Sequence, residues 1–155
     1  MSRPGRDPAG SVPVVTQVLI ATDADAVYDE VDAALADDET VVSRVRRGFD
    51  VAPAVAELEP DVVLLDLHIG NMGGIAACMS LRLDAEDGRL PDVPIVLLLD
   101  RAADIFLAQR SGADAWIVKP LDAFGIRRTV AEVLEGRPAG QPSLGAEQVA
   151  DVNPA

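Results

Sequence analysis

One cysteine, Cys78, and one histidine, His68, leave this chain unable to close an internal disulfide or to build a zinc site of the usual composition. Basic residues are scarce as well: 13 against 26 acidic ones give a formal net charge of −13. That charge repels nucleic acid and anionic membranes, and no dense basic run offsets it locally. No apolar run approaches the roughly 18 to 20 residues of a membrane-spanning helix. The first residues, with Arg3, Pro4 and Arg6, have no apolar stretch of the signal-peptide kind. After the first apolar segment the chain reads Thr22-Asp23-Ala24-Asp25-Ala26, with no G-x-G-x-x-G, so a dinucleotide oxidoreductase is not supported. The expectation is a cytoplasmic protein that binds neither nucleic acid nor membrane.

What the chain does have is 155 residues, 49% hydrophobic and 25% charged, which fit one domain with a sizeable core. Residues 1–14 and 137–155 are rich in Pro, Gly, Ala and Ser and are expected to be flexible tails around a domain over residues 15–136. Each sign loses three charges with the tails, so the domain keeps the whole excess. Residues 15–66 carry 13 acids against three bases, and residues 67–136 ten against seven, so one side should be markedly acidic. The last 19 residues are too short for a helix-turn-helix, and any output is expected to pass through a protein partner.

Within the domain the hydrophobic period alternates between two and 3.6. Strands are expected over residues 15–21, 40–45, 61–66, 94–99 and 115–118. Helices are expected over residues 25–36, from Asp50 to about Leu58, after the Gly70 to Gly74 loop, over 102–111 and over 122–135. The proposed inner stripes are Val27, Val31, Ala34 and Leu35; Val51, Ala54, Val55 and Leu58; Ile75, Cys78, Met79 and Arg82; and Ile126, Val130, Val133 and Leu134. Five strands alternating with five helices imply an α/β fold with a doubly wound parallel sheet covered on both faces. Cys78 reads as a buried small hydrophobe.

In such sheets ligands bind outside the carboxyl ends of the strands. The residues there are Thr22 and Asp23, Asp66, Leu99 and Asp100, and Lys119 and Pro120. Asp23 alone could cap a helix and Asp66 alone could start a turn. Together, a carboxylate that takes up a phosphoryl group needs a Mg²⁺ held by a second carboxylate and a cation on the phosphate oxygens. Asp66, Asp23 and Lys119 could supply those parts. Lys119 is also the one lysine beside twelve arginines, which suggests a requirement for a compact point charge at that position.

Pro60 to Leu67, PDVVLLDL, and Gly112 to Pro120, GADAWIVKP, resemble the receiver domain of bacterial two-component response regulators. The likeness covers roughly residues 15–136 and implies a flavodoxin-like fold with strand order 2-1-3-4-5. By this resemblance Asp66 matches the phosphoacceptor and Lys119 the phosphate-contacting lysine. Asp23 matches one of the acidic pair that binds Mg²⁺, and His68 the residue whose backbone carbonyl completes the metal site. The Lys119–Pro120 bond is expected to be cis.

The chain also departs from the family's pattern. Thr22 stands where the acidic pair has its other member, so Mg²⁺ should bind weakly, with Asp25 a displaced substitute. At the end of the fourth strand, where receivers carry a Ser or Thr, the chain reads Leu97, Leu98 and Leu99. Gly70 replaces a proline and Gly73 an acid. Asp100 should add repulsion near a phosphorylated Asp66. Leu99 removes the switch hydroxyl, and Trp116, matching the switch aromatic, is expected to stay packed in one position.

The expected function is an atypical single-domain response regulator in a phosphorelay, with output through protein contact. Its phosphodonor would be a sensor histidine kinase or another donor. A homodimer is a further expected partner, and the family's usual partner surface corresponds here to Phe106, Trp116, Arg127 and Arg128. The alternative is a phosphorylation-independent pseudo-receiver acting as an interaction module. An aspartate-nucleophile phosphatase would need a second acid two residues after Asp66, where His68 stands, so the chain is not expected to be an enzyme beyond turnover at Asp66 itself.

Overall fold

The computed structural model describes residues 14–136. The expected tails, residues 1–14 and 137–155, therefore lie outside the described residues apart from Val14. The described chain runs β1 (Thr16–Ala21), α1 (Asp25–Leu35), β2 (Thr40–Val45), α2 (Val51–Leu58), β3 (Val62–Asp66) and α3 (Gly74–Glu86). It continues with β4 (Ile95–Leu99), α4 (Ile105–Ser111), β5 (Ala115–Val118) and α5 (Ala123–Leu134). All neighbouring strands are parallel, as the pattern implied, in the order β2-β1-β3-β4-β5 that the family resemblance implied.

β3 and β4 are buried at every position. Their unbroken apolar runs suit strands covered on both faces. Side-chain alternation then divides the core in two. Leu19, Ala21, Val63, Leu65, Leu97, Leu99 and Trp116 pack with residues of α2, α3 and α4. Val18, Ile20, Leu64, Val96, Leu98 and Ile117 pack with residues of α1 and α5. At the edge of the sheet, β2 has no fully buried residue.

The α1 stripe is the expected one, with Val27, Val31, Ala34 and Leu35 buried. Full burial of a Val or Leu side chain contributes about 1.5–3 kcal/mol, so this face suffices to hold a short helix that lacks a side-chain N-cap. The other stripes need correction. Leu58 and Leu134, each the last residue of its helix, are exposed, while Thr129 joins the buried face of α5. On α3 the buried residues are Gly74, Ala77, Cys78 and Leu81, and Met79 is exposed.

The reason lies at Gly74, where a Cβ would stand 2.6 Å from the Asp66 carbonyl oxygen. Glycine and the small Ala77 let α3 lie directly against the end of β3, which turns Met79 outward. At the far end of α4, Gly112 takes φ +90° in the left-handed region and ends the helix. Cys78 is fully buried, as expected, and its Sγ donates to the Ser111 carbonyl at 3.5 Å. Burial raises the Cys78 thiol pKa above its usual range. No helix among the described residues is long and apolar enough to cross a membrane.

Candidate functional site

The parallel sheet brings the carboxyl ends of β1, β3, β4 and β5 to one edge, and with them Thr22, Asp23, Asp66, Asp100 and Lys119. Asp66 ends β3 with its side chain only 4% exposed, and each carboxylate oxygen has a partner. Lys119 Nζ donates to Oδ1 at 2.9 Å and Thr22 Oγ1 donates to Oδ2 at 2.7 Å. Thr22 is fully buried and also accepts from Ala24 N at 3.1 Å, so its hydroxyl both shapes the turn into α1 and satisfies Asp66. Thr22 is thus more than a missing charge: its hydroxyl reaches Asp66 through a rotamer that sequence spacing does not reveal.

Lys119 is shared. Its Nζ also lies 2.9 Å from Asp100 Oδ1, and Asp100 Oδ2 lies 2.6 Å from His68 Nε2. Burial of the Lys119 ammonium lowers its pKa, but the two carboxylates together outweigh that, and the net shift is upward. Asp100 is held below the usual carboxylate range chiefly by its hydrogen bond from Lys119. The imidazole of His68, of which only the backbone was expected to matter, thus has a partner of its own.

Asp23 does not cap α1; its Oδ2 accepts from Gly70 N at 3.0 Å. A proline at 70 would have no proton to donate there, and this is what glycine allows in that loop. Asp25 is not a substitute acid at this edge. It receives Arg44 of β2 at 2.9 Å and Arg46, just beyond that strand, at 3.1 Å, and their hydrogen bonds lower its pKa. Arg44 is fixed in turn by a bond to the Thr22 carbonyl and by the Tyr28 ring beneath it.

Receiver domains typically bind Mg²⁺, and this donor set does not fit one well. A hard dication takes about six oxygens with a strong contribution from carboxylates. Here Asp23 and Asp66 are both engaged in hydrogen bonds, Thr22 adds no charge, and among the described residues no three His, Cys, Asp or Glu side chains are grouped to hold a metal. The weak-Mg²⁺ expectation rests on this same shortage.

The two residues expected at switch positions are both in the core: Leu99 is fully buried and Trp116 2% exposed. Trp116 Nε1 has no hydrogen-bond partner among the described residues. Trp116 is therefore not part of an exposed surface, which corrects the expected partner face. Phe106 is exposed with Arg110 over its ring, Arg127 reaches the Ala34 carbonyl on α1, and Arg128 pairs with Glu132 along α5. The Lys119–Pro120 bond is cis, as expected.

Residues 18–131 match the response regulator receiver domain family. The chain is similar to the DNA-binding response regulator MtrA of Mycobacterium tuberculosis, 43% identical over 100 residues, which are 57% of this chain and 41% of that protein. It thus spans about two fifths of the MtrA length. Protein PilH of Pseudomonas aeruginosa is 30% identical over 122 residues, 79% of this chain and 100% of PilH. The structure of chemotaxis response regulator CheY4 of Vibrio cholerae superposes with a TM-score of 0.68 at 20% identity, over 77% of this chain and 99% of CheY4.

Proposed function

The chain belongs to the response regulator receiver domain family, the module of two-component signalling, and from that premise we propose that Asp66 is its phosphoacceptor and Lys119 its phosphate contact. The observation that carries this reading is the 2.9 Å contact of the chain's one lysine with a buried carboxylate at the carboxyl edge of a parallel sheet. An Asp66 oxygen attacks phosphorus as the bond from phosphorus to the leaving group breaks. From acetyl phosphate the group released is acetate; from a kinase phosphohistidine it is the imidazole, which takes up a proton. Lys119 offsets charge on the transferred group's oxygens, a role that suits a compact ammonium.

Receiver domains partner with histidine kinases generally, and such a kinase or another phosphodonor is the proposed partner here. The receiver unit is residues 15–136, and its output is a protein contact; the match to PilH along that protein's whole length supports an output of this kind. A cytoplasmic setting fits the single unpaired Cys78. The test is intact mass after incubation with acetyl phosphate and millimolar Mg²⁺. One phosphoryl adduct is expected on the native chain and none on Asp66→Asn; an equal adduct on both would remove Asp66 from the role.

The second reading is a phosphorylation-independent pseudo-receiver. The Thr22 hydroxyl on Asp66 Oδ2 favours it, because that hydrogen bond occupies an oxygen the nucleophile would use, and so does the absence of a hydroxyl at Leu99. On that reading neither variant gains mass, and partner binding is indifferent to Asp66→Asn.

A further inference from the structure

Among the described residues Lys119 is the cation paired with Asp66, and it is shared with a second carboxylate. Its ammonium stands 2.9 Å from Asp66 Oδ1 and 2.9 Å from Asp100 Oδ1, so the two carboxylates lie within twice that distance of each other. Side-chain exposure rises from 4% at Asp66 through 22% at Lys119 and 34% at Asp100 to 72% at His68. The four groups form a chain from the buried acceptor to the surface, with Asp100 clasped between Lys119 and the His68 imidazole. Two of the three ammonium protons are committed, and a single positive charge already faces two negative ones.

We propose that Asp100 is a positioning residue that acts on Asp66 through Lys119: its carboxylate is a built-in anion that occupies the ammonium in place of a phosphoryl oxygen, and His68 tethers it there. This rests on the reading of Asp66 as phosphoacceptor and adds what governs that acceptor's reactivity. A dianionic donor approaching Asp66 must displace Asp100 from Lys119 or meet its charge. The donor set is poor in metal ligands, and the nearby Arg101, whose charge also favours the Asp100 carboxylate, is paired with Asp104 at 3.1 Å, which leaves Lys119 as the cation in contact with Asp66 among the described residues. The consequence is a receiver kept slow toward small donors and released by whatever draws Asp100 away from Lys119.

The single lysine makes the test direct, since a chain labelled with ¹³Cε-lysine carries one side-chain reporter, Lys119. The native chain, Asp100→Asn, Asp100→Glu and His68→Ala are each incubated with acetyl phosphate, and the rate of mass gain is measured. In parallel the Lys119 resonance is followed during titration with inorganic phosphate. Asp100→Asn is expected to be modified at least about tenfold faster, the order anticipated when one negative charge beside a dianionic donor is removed. Its Lys119 resonance should move with phosphate while that of the native chain does not. Asp100→Glu should keep native behaviour, and His68→Ala should fall between.

Equal rates and equal Lys119 responses in the native chain and Asp100→Asn would overturn the proposal while leaving Asp66 as acceptor. If no variant gains mass but phosphate moves Lys119 only in Asp100→Asn, the role of Asp100 on Lys119 stands and the phosphoacceptor reading falls. If Asp100→Asn loses its native spectrum, His68→Ala, which alters an exposed side chain and keeps the carboxylate, decides by the same two readouts.

Discussion

Two clusters at opposite ends of the sheet each place one cation among carboxylates, and they differ in how the cation holds its partners. Before the amino ends of β4 and β5, Arg82 of α3 donates to the Gly112 carbonyl at 2.8 Å, to Asp92 at 2.8 Å, to the Val93 carbonyl at 3.0 Å and to Asp114. Asp114 also accepts from Ile95 N at 2.8 Å. Four hydrogen bonds leave the planar fork in fixed directions, and they tie α3 to the starts of two strands. Beyond the carboxyl ends, Lys119 holds two carboxylates by point charge, at 2.9 Å each, with no rigid fork to fix their directions. Arginine suits a place where fixed geometry is wanted; lysine suits one where a charge must be handed to a new anion. On the proposed reading of Lys119 as phosphate contact, that chemical difference accounts for the one lysine at this edge in a chain with twelve arginines.

The contrast would break if the two cations were interchangeable, and truncating each gives the largest effect. Arg82→Ala is expected to cost about 2–3 kcal/mol in stability, less than the 3–5 typical of a fully buried pair because the side chain is partly exposed. Denaturant unfolding checks this, and Asp66 reactivity should be unaffected. Lys119→Arg should do the reverse, changing stability by less than about 1 kcal/mol while slowing the mass gain with acetyl phosphate. Loss of stability in both, or of reactivity in both, would erase the distinction.

Much of the fold was legible because it depends on periodicity. The α1 stripe was readable residue by residue, and so was the strand order implied by the family likeness. The α3 stripe was not, because a close backbone approach at Gly74, and not hydrophobicity, decides how that helix is rotated. At the site, the identities of Asp66, Lys119 and Asp23 were legible from strand ends. The links between them were not: the Thr22 bond to Asp66, the Gly70 bond to Asp23 and the His68–Asp100 pair depend on rotamers and on where two loops meet. Asp100 was seen as a source of repulsion; its grip on Lys119 needed three dimensions.

A smaller effect sharpens the carboxyl-end half of the comparison. Thr22→Asp restores a second carboxylate beside Asp23, and Mg²⁺ affinity measured by Trp116 fluorescence or calorimetry is expected to rise by about tenfold or more. The same substitution at an edge with one lysine places like charges together, so the metal-free protein should lose stability, on the order of 1 kcal/mol. Mg²⁺ affinity unchanged by Thr22→Asp would mean that something other than the missing acid limits the metal.

The smallest effect expected is a flat one. A group whose pKa is raised on folding contributes stability below its unfolded value and loses it as pH rises through the folded value; for Lys119 that loss lies above the ordinary 10.5. A group whose pKa is lowered contributes above its unfolded value and loses that contribution as pH falls through the folded one; for Asp100 this lies below the ordinary 3.8. The Lys119–Asp100 contact is therefore fully charged from about pH 5 to 9. In a His68→Ala background, which removes the imidazole 2.6 Å from Asp100, the stability difference made by Asp100→Asn should be constant across that window and shrink only outside it. A difference that varied near neutrality would assign the titration to another group at this edge and would show that Lys119 and Asp100 do not form the fixed pair that sets it apart from the Arg82 cluster.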